Sequence, residues 1–539
     1  MHIDDFSGPE AFLAELARRS WQPDFGLLAE LLAANRRWPQ AGLQKELLLL
    51  LQELAPGLQA QALLKELSLW LEGVLPALDS DLQPYAPWIL ACLRQKGWPD
   101  AREPELAAPP PQLFVEPLFT LLLRRCYLTD AGLEQELTRL RAALLLRSQK
   151  PDPAWEPVLL SLAFQAWNNG YLWNETAAET ARLEAMQSSQ PLDLLTWACY
   201  RPLQTLLPAS WQPWEQLSAG WRDLIAASVH APAREKELAA EIPALTPLPQ
   251  KDPCLAFYDQ TPYPRWLAPE RMAVEPLAEQ LELILPNWDW RRRLLPGMQV
   301  LIAGCGTGQQ LVQHGLQQPD ARLSGLDLSR TALGYTARML EVSGLQAELF
   351  QADLLELRHW PRRFDLIACG GVLHHLADPE AGLANLVRLL KPGGLLKLGV
   401  YSHRARQPLL QLRTRLGVRG GESPAEVQDL RQCLLDDRSD EAKWVRRTRD
   451  FYTLPTCRDL LCHPRERTYT LPELATCFAR QHLQVLGLEL WNPQYYALYA
   501  RRFPQDPQML NLACWDLLEA EYPSLFAGMI VLWLGKSCE

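Results

Sequence analysis

The hydrophobic pattern of this chain changes its period once, at a proline-rich stretch from Pro243 to Pro253 (PALTPLPQKDP). Proline fixes φ and lacks a backbone N–H, so such a stretch cannot continue a helix and separates the chain before it from the chain after it. From Phe12 to about Glu241, Leu- and Ala-rich segments carry apolar residues at spacings of three and four. They are interrupted near Pro84 and Pro87, at Pro109 to Pro111, around Pro151 and Pro153, and at Pro208. This pattern predicts amphipathic helices, stacked in pairs or gathered in an irregular bundle, since no fixed-period repeat emerges. Beyond the prolines, short apolar runs alternate with amphipathic helices, as in a parallel sheet with crossover helices.

At roughly 100–200 residues per domain, 539 residues exceed one core. The division reads as an all-α, degenerate repeat-like domain over 1–242, a proline-rich linker and lid segment over 243–297, and an α/β domain over 298–539 with an insertion at about 404–470. The strand candidates are Met298 to Ala303, Arg322 to Asp327, Ala347 to Gln351, Phe364 to Cys369 and Leu395 to Val400, the first four each followed by a helical segment. Two late runs, Leu483 to Leu490 and Met529 to Leu534, have no clear crossover helix between them, which predicts a reversed last strand.

Composition removes several classes of function. With 53 basic and 63 acidic side chains the net charge is -10, too acidic for a surface built to neutralise phosphates, so nucleic acid is a disfavoured partner. The first residues are acidic rather than basic-then-apolar, and no run reaches 18 apolar residues, so a cytoplasmic protein without a membrane span is expected. The 12 cysteines are scattered, with no Cys-x-x-Cys pair, and read as reduced core thiols. Their tightest cluster, Cys457, Cys462 and His463, lacks the spacing of zinc-ligand arms, and no metal is expected.

The chemistry lies in the second half. Val300 to Gly308 (VLIAGCGTG) places a strand directly before a glycine-rich turn, and Gln309 to Gly315 reads as the start of a helix. Glycines let the backbone turn tightly and approach a ligand, and free amides at a helix start favour an anionic group. Asp327 lies 23 residues beyond Gly304 at the end of the second strand candidate, where a carboxylate can accept hydrogen bonds from both ribose hydroxyls or cap the helix beginning near Ser329. Asp353 closes the third candidate, where it can receive an exocyclic amine of adenine. There is no Gly-x-x-x-x-Gly-Lys-Ser/Thr loop, and Gly304-x-Gly306-x-Gly308 is not the Gly-x-Gly-x-x-Gly of dinucleotide enzymes, so the pattern points to a nucleoside without a phosphate site, S-adenosyl-L-methionine.

The segments VLIAGCGTGQ, LSGLDLS, QADL, FDLIACGGVLHHLADPEAGL and LLKPGGLLKLGVYS resemble, in order, the motifs of class I S-adenosylmethionine-dependent methyltransferases. NNGYLWNETAAE, ACYRPLQTL, FYDQTPYPRW, CRDLLCHPRERTYTLPEL and LFAGMIVLW extend the resemblance to bacterial methyltransferases with an N-terminal tetratricopeptide-type helical region. This chain departs from that family in lacking readable repeats and in carrying Asp259-Gln260-Thr261 where a Glu-x-Asn is usual. The resemblance implies a seven-stranded, mostly parallel Rossmann-like sheet. It implies that Gly304, Cys305, Gly306 and Gly308 line the methionine part of the cofactor, that Asp327 binds the ribose, and that Leu328, Asp353 and Leu354 surround the adenine. Cys369 and Gly370 would sit near the sulphonium, and Tyr263, Arg265 and Trp266 would form a lid or, equally, a structural staple.

Methyl transfer from a sulphonium asks the protein mainly to align acceptor and methyl in a dry site. An oxygen or nitrogen acceptor must also lose a proton, and His374, His375, Tyr401 and His403 are the nearby candidates. His403, Arg404, Arg406, Arg413, Arg415 and Arg419 form a basic run that reads as a solvated helix face or as a cradle for an anionic acceptor. A protein or peptide docked on the helical region is the first acceptor expected, an anionic metabolite the second, and a cofactor-binding scaffold without turnover the third reading.

Overall fold

The computed structural model describes residues 6, 8–18, 24–57, 60–96, 116–147, 153–186, 190–207, 217–249, 251–272, 274–285 and 296–536. The expected breaks at Pro109 to Pro111, Pro151 and Pro208 lie outside the described residues. The chain divides into two compact units. One runs to Val229 and takes back Leu267–Ala273; the other holds His230–Trp266 and the chain from Val274 onward.

The first unit is helical throughout its described residues. Phe25–Arg37 packs on Ala41–Glu53, Leu64–Val74 on Ala86–Gln95, and both Pro117–Arg125 and Pro191–Ala198 on Glu156–Asn168. Asp24, Glu116 and Asp130 accept the N–H three residues ahead and so start their helices with a satisfied amide. The core is built on Leu side chains with Trp88, Phe119 and Trp221 fully buried. The motif around Tyr171 serves this packing: Asn168 Nδ2 donates to the carbonyls of Arg124 and Cys126, both at 3.1 Å. Glu179 closes a capping box with Thr176 and accepts the Tyr200 hydroxyl at 2.6 Å, while Arg141 lies 4.0 Å over the Tyr200 ring.

The second unit is a seven-stranded sheet: β1 Gln299–Ala303, β2 Arg322–Asp327, β3 Ala347–Gln351, β4 Phe364–Gly370, β5 Leu390–Val400, β6 Leu483–Glu489 and β7 Ile530–Lys536, in the order β3-β2-β1-β4-β5-β7-β6. The first five strands are parallel, and β7 runs antiparallel between β5 and β6, the reversed strand expected. Two helices the sequence did not suggest, Gln494–Arg502 and Leu512–Glu521, fill the connection from β6 to β7. Successive strand residues face opposite ways, so Leu301, Ile367 and Leu396 enter one core while Val300, Ile302, Leu366 and Ala368 enter the other. Both faces of the sheet are covered, as a parallel sheet requires.

The prolines mark where secondary structure changes, and the cores part a helix earlier. Helix Ala231–Glu241, placed by sequence with the helical half, packs on helix Arg330–Ser343 of the second unit. The approach is close because Gly334 has no Cβ: one would lie 2.4 Å from the Glu235 carbonyl oxygen. The proline-rich stretch is itself held at the sheet edge, with Gln351 N–H donating to Pro243 O at 2.9 Å and Leu245 N–H to Gln351 O at 2.8 Å. After β5, helices Gln407–Leu416, Pro424–Asp436, Asp440–Arg447 and Leu454–Cys462 form the insertion. Its ends are tied together by His403 N–H to Tyr469 O (2.8 Å) and Tyr469 N–H to Tyr401 O (2.9 Å). No helix among the described residues is long and apolar enough to cross a membrane.

Candidate functional site

The sheet order reverses on either side of β1, and it is outside the carboxyl ends of the strands at such a point that α/β sheets bind ligands in a crevice. At the end of β1, Gly306 has φ +52°, and a Cβ there would stand 2.4 Å from the Tyr263 carbonyl oxygen, so only glycine fits the turn. Its N–H donates to Asp327 Oδ2 at 2.8 Å, and the Ser329 N–H donates to Oδ1 at 2.8 Å. Asp327 and Leu328 stay half-buried at the strand end. The helix cap weighed for Asp327 falls instead to Ser329, whose hydroxyl accepts the Ala332 N–H. Burial pushes the Asp327 carboxyl upward against these backbone hydrogen bonds. Asp353, half-buried at the end of β3, accepts the Leu355 N–H at 2.9 Å, and burial raises it also.

The remaining residues expected around a cofactor divide by which part of them reaches the crevice. Gly304 and Gly370 are half-buried beside it. The side chains of Cys305, Leu354 and Cys369 turn into the cores, the Cys369 thiol pushed up to about 12 by burial, so these three have only backbone to offer a ligand. Gly308 starts helix Gln309–Gln317 from the left-handed region.

The lid trio is fastened to the glycine turn. Tyr263 O accepts the Thr307 N–H at 3.0 Å, Pro264 O accepts the Thr307 hydroxyl at 2.6 Å, and Trp266 Nε1 donates to Thr307 Oγ1 at 3.1 Å. Trp266 is buried in the core, whereas Tyr263 and Arg265 are half-buried. Asp259, where the family pattern has Glu, accepts the Ser329 hydroxyl at 2.7 Å.

From Tyr263 a chain of rings crosses to the ends of β4 and β5. Centroids lie 6.5 Å apart for Tyr263 and Tyr258, 5.5 Å for Tyr258 and His463, 3.6 Å for the stacked His463 and His375, 4.2 Å for His375 and His374, and 4.1 Å for His374 and Tyr401. Arg406 covers Tyr401 at 3.5 Å and reaches Glu466 at 3.1 Å. Asp459, 3% exposed, accepts the Tyr258 hydroxyl at 2.7 Å. The proposed bases His374, His375 and Tyr401 do come together here, but their burial disfavours the charged forms. The His375 pKa falls to about 3, that of His374 falls well below the ordinary value, and that of Tyr401 rises. His403 is exposed and bonded to Thr468.

Tyr258, Asp459, His463 and Glu466 lie in the segments FYDQTPYPRW and CRDLLCHPRERTYTLPEL that carry the family resemblance, but sequence reasoning assigned a role to none of them; His463 was singled out only beside cysteines that prove to be buried. The basic run is consumed internally, with Arg404 on Asp516 and Glu519, Arg406 on Glu466, Arg413 on the His463 carbonyl and Arg415 on Asp437. All four guanidiniums are engaged within the chain and form no open anion cradle; Arg415 alone is exposed, as a solvated face would have it.

His375, Asp459 and His463 bring potential metal-ligating atoms within 4.8 Å of one another. The donor set does not fit a cation. The Arg465 N–H donates to His463 Nδ1 at 3.0 Å, which occupies that lone pair and leaves the proton of the neutral ring on Nε2, so neither nitrogen is free to ligate.

A family model described as a methyltransferase domain matches residues 301–396, from β1 into β5. An uncharacterized protein of Synechococcus sp. is 28% identical over 262 residues, 44% of this chain and 60% of its own length. The ubiquinone biosynthesis O-methyltransferase of Azoarcus sp. is 39% identical over 19% of this chain and 42% of its own length. The enzyme of the same name from Thiobacillus denitrificans is 34% identical over 27% and 62%. The chain thus spans 42%, 60% and 62% of the length of these three relatives. Among solved structures, PKMT2 from Rickettsia typhi in complex with AdoHcy is 18% identical over 45% of this chain and 49% of that one, with a TM-score of 0.34. The magnesium protoporphyrin IX methyltransferase of Synechocystis PCC 6803 with bound SAH is 13% identical over 48% and 83%, with a TM-score of 0.27.

Proposed function

We propose that this chain, whose second unit carries a class I S-adenosylmethionine-dependent methyltransferase domain, transfers the methyl group of S-adenosyl-L-methionine to a small-molecule acceptor held against the ring chain. The observation that carries the reading is the series at three adjacent strand ends: a glycine turn whose Gly306 N–H sits on Asp327, Asp327 itself, and Asp353. The donors and acceptors present suit a nucleoside with a zwitterionic tail. Two half-buried carboxylates stand where a ribose and an exocyclic amine would lie, and the turn offers backbone close to the ligand.

When bound, the cofactor supplies a methyl group already activated by its sulphonium. The chain's own part is alignment and exclusion of water. Tyr263 and Pro264, hydrogen-bonded through their carbonyls to Thr307, hold the lid segment onto the glycine turn, and Trp266 anchors it in the core. His374, His375 and Tyr401 stay neutral at physiological pH and present a flat, polarisable wall at the ends of β4 and β5. The insertion that supplies Asp459 and His463 closes the far side.

A small acceptor is favoured by the burial of that wall, and the relatives named as O-methyltransferases of ubiquinone biosynthesis are in keeping with it. A protein or peptide acceptor, the first expectation from sequence, finds support in a groove of about 540 Å³ in the first unit lined by Leu32, Arg36, Lys65, Glu66, Leu69 and Trp70. Calorimetric titration with S-adenosylmethionine, S-adenosylhomocysteine and NAD tests the cofactor: the first two should bind and NAD should not. Failure of both to bind folded protein would overturn the reading. Labelled methyl recovered in the low-mass fraction of a treated extract supports the small acceptor, label in protein supports the groove, and cofactor binding without transfer to either supports the scaffold.

A further inference from the structure

One buried acid takes no part in this alignment. Asp459 sits on helix Leu454–Cys462 of the insertion, and its carboxylate is reached by the Tyr258 hydroxyl at 2.7 Å. Tyr258 in turn is half-buried and stands in the ring chain between Tyr263, whose carbonyl is hydrogen-bonded to the glycine turn, and His463. The pair therefore runs from the crevice into the interior. We propose that Tyr258 and Asp459 form a proton relay for methyl transfer, which fits an acceptor bearing a neutral hydroxyl and disfavours a carboxylate. The proposal rests on the methyltransferase reading and assigns the proton that the reading leaves unplaced.

The step balances with the groups present. The acceptor oxygen forms its bond to the methyl carbon as the carbon–sulphur bond breaks, and that electron pair stays on sulphur. The acceptor's proton passes to the Tyr258 oxygen while the Tyr258 proton passes to Asp459, which ends as the neutral acid. Tyr258 touches the acceptor and is the catalytic residue; Asp459 acts through it.

The surroundings of Asp459 fit this duty. Three acids share the interior here, Asp450, Asp459 and Glu466; the Arg406 guanidinium faces them, and Arg449 adds to it at Asp450 alone. The imidazoles of His375 and His463 nearby are held neutral by burial. Burial raises the Asp459 carboxyl to about 7, with Glu466 and Asp450 adding to the rise and the Tyr258 hydroxyl and Arg406 opposing it, so the group both accepts and releases a proton near neutrality. The same excess of acid disfavours an acceptor that arrives with a negative charge. Two buried donors without a protein partner, His463 Nε2 and Arg406 Nε, remain to orient the lone pairs of a neutral oxygen compound.

The test uses the full chain, and Asp459→Asn and Tyr258→Phe, each checked for an unchanged unfolding temperature to within a few degrees. Binding heats in two buffers of different ionisation enthalpy at pH 7 give the protons released with each ligand. S-adenosylmethionine is cationic at sulphur and S-adenosylhomocysteine is not, so the first should release about 0.3 to 0.5 proton more than the second, an excess that vanishes in Asp459→Asn. Methyl transfer into the low-mass filtrate of an extract should fall about 100-fold or more in both variants, with affinity for S-adenosylmethionine within twofold of wild type. EDTA should change neither readout. A proton excess that persists in Asp459→Asn, or transfer at the wild-type rate by either variant, overturns the relay alone. Loss of transfer on EDTA with recovery on Mn2+ overturns it in favour of a metal. No binding of either nucleoside by folded wild type overturns the methyltransferase reading beneath it.

Discussion

Removing the Asp327 carboxylate tests how the glycine turn and the ribose position are coupled. Asp327→Ala deletes the acceptor of two backbone N–H groups, Gly306 and Ser329, each at 2.8 Å. A hydrogen bond to a charged group is worth about 1.5–3 kcal/mol, and an amide left buried without a partner costs about 1–3 kcal/mol. Gly306 is half-buried at the crevice, so water recovers part of this, while Ser329 is fully buried and recovers less. The expected loss is about 1–3 kcal/mol in unfolding free energy. A similar loss, about 5- to 150-fold, is expected in affinity for S-adenosylmethionine and S-adenosylhomocysteine alike, because the ribose is common to both. Calorimetric titration reads the affinity and urea unfolding the stability. A stability loss with unchanged affinity would refute the ribose assignment and leave Asp327 as a clasp on the turn; neither loss would refute both roles.

Three further outcomes rest on single contacts. Asp459 carries a folded-state pKa of about 7, above the ordinary carboxylate value, so the folded protein keeps a proton that the unfolded chain releases and its stability falls as pH rises from about 4 through 7. Asp459→Asn removes that decline, and its unfolding temperature relative to wild type should rise between pH 5 and pH 8; a gap independent of pH would sink the assignment. Gly306→Ala should abolish cofactor binding, since the new Cβ meets backbone at 2.4 Å, whereas Gly344→Ala, with φ +68° and open space, should cost about 1 kcal/mol of stability and leave binding intact. Gly334→Ala drives a methyl against the Glu235 carbonyl and should cost about 1–3 kcal/mol in urea unfolding, and a neutral result would deny the packing of helix Ala231–Glu241 on that face.

The sheet was legible because its strands are local. Each of the seven runs carried its own apolar signal, and turn residues such as Gly304 to Gly308 fixed where the first strand ends. The order of the outer strands was less so, because an antiparallel connection can hold any excursion, and the helices Gln494–Arg502 and Leu512–Glu521 occupy one that periodicity left blank. The boundary between cores moved by a helix for a related reason. Helix Ala231–Glu241 has no sequence mark of its allegiance, which is decided by Gly334, about a hundred residues away, permitting close approach.

The same contrast runs through the site. The positions of Asp327 and Asp353 were legible, since the end of a strand is a place that a pattern predicts. The proposed proton acceptor could not be chosen that way, because His374, His375 and Asp459 differ in what burial does to them rather than in where they fall. An imidazole is charged when protonated, so an apolar site lowers its pKa, to about 3 for His375; a carboxyl is charged when ionised, so the same environment raises Asp459 to about 7. One physical cause thus disfavours protonation of the bases that motif reasoning preferred and brings near neutrality an acid whose segment, CRDLLCHPRERTYTLPEL, carries the family resemblance without a role for it. Asp459 faces Tyr258 only because the insertion after β5 folds back across the strand ends, a contact between residues 201 positions apart. A chain that acquires its acceptor wall from an insertion can keep the cofactor half of its site while the insertion changes, so acceptor specificity here should track the segment from Arg404 to Tyr469 rather than the glycine turn.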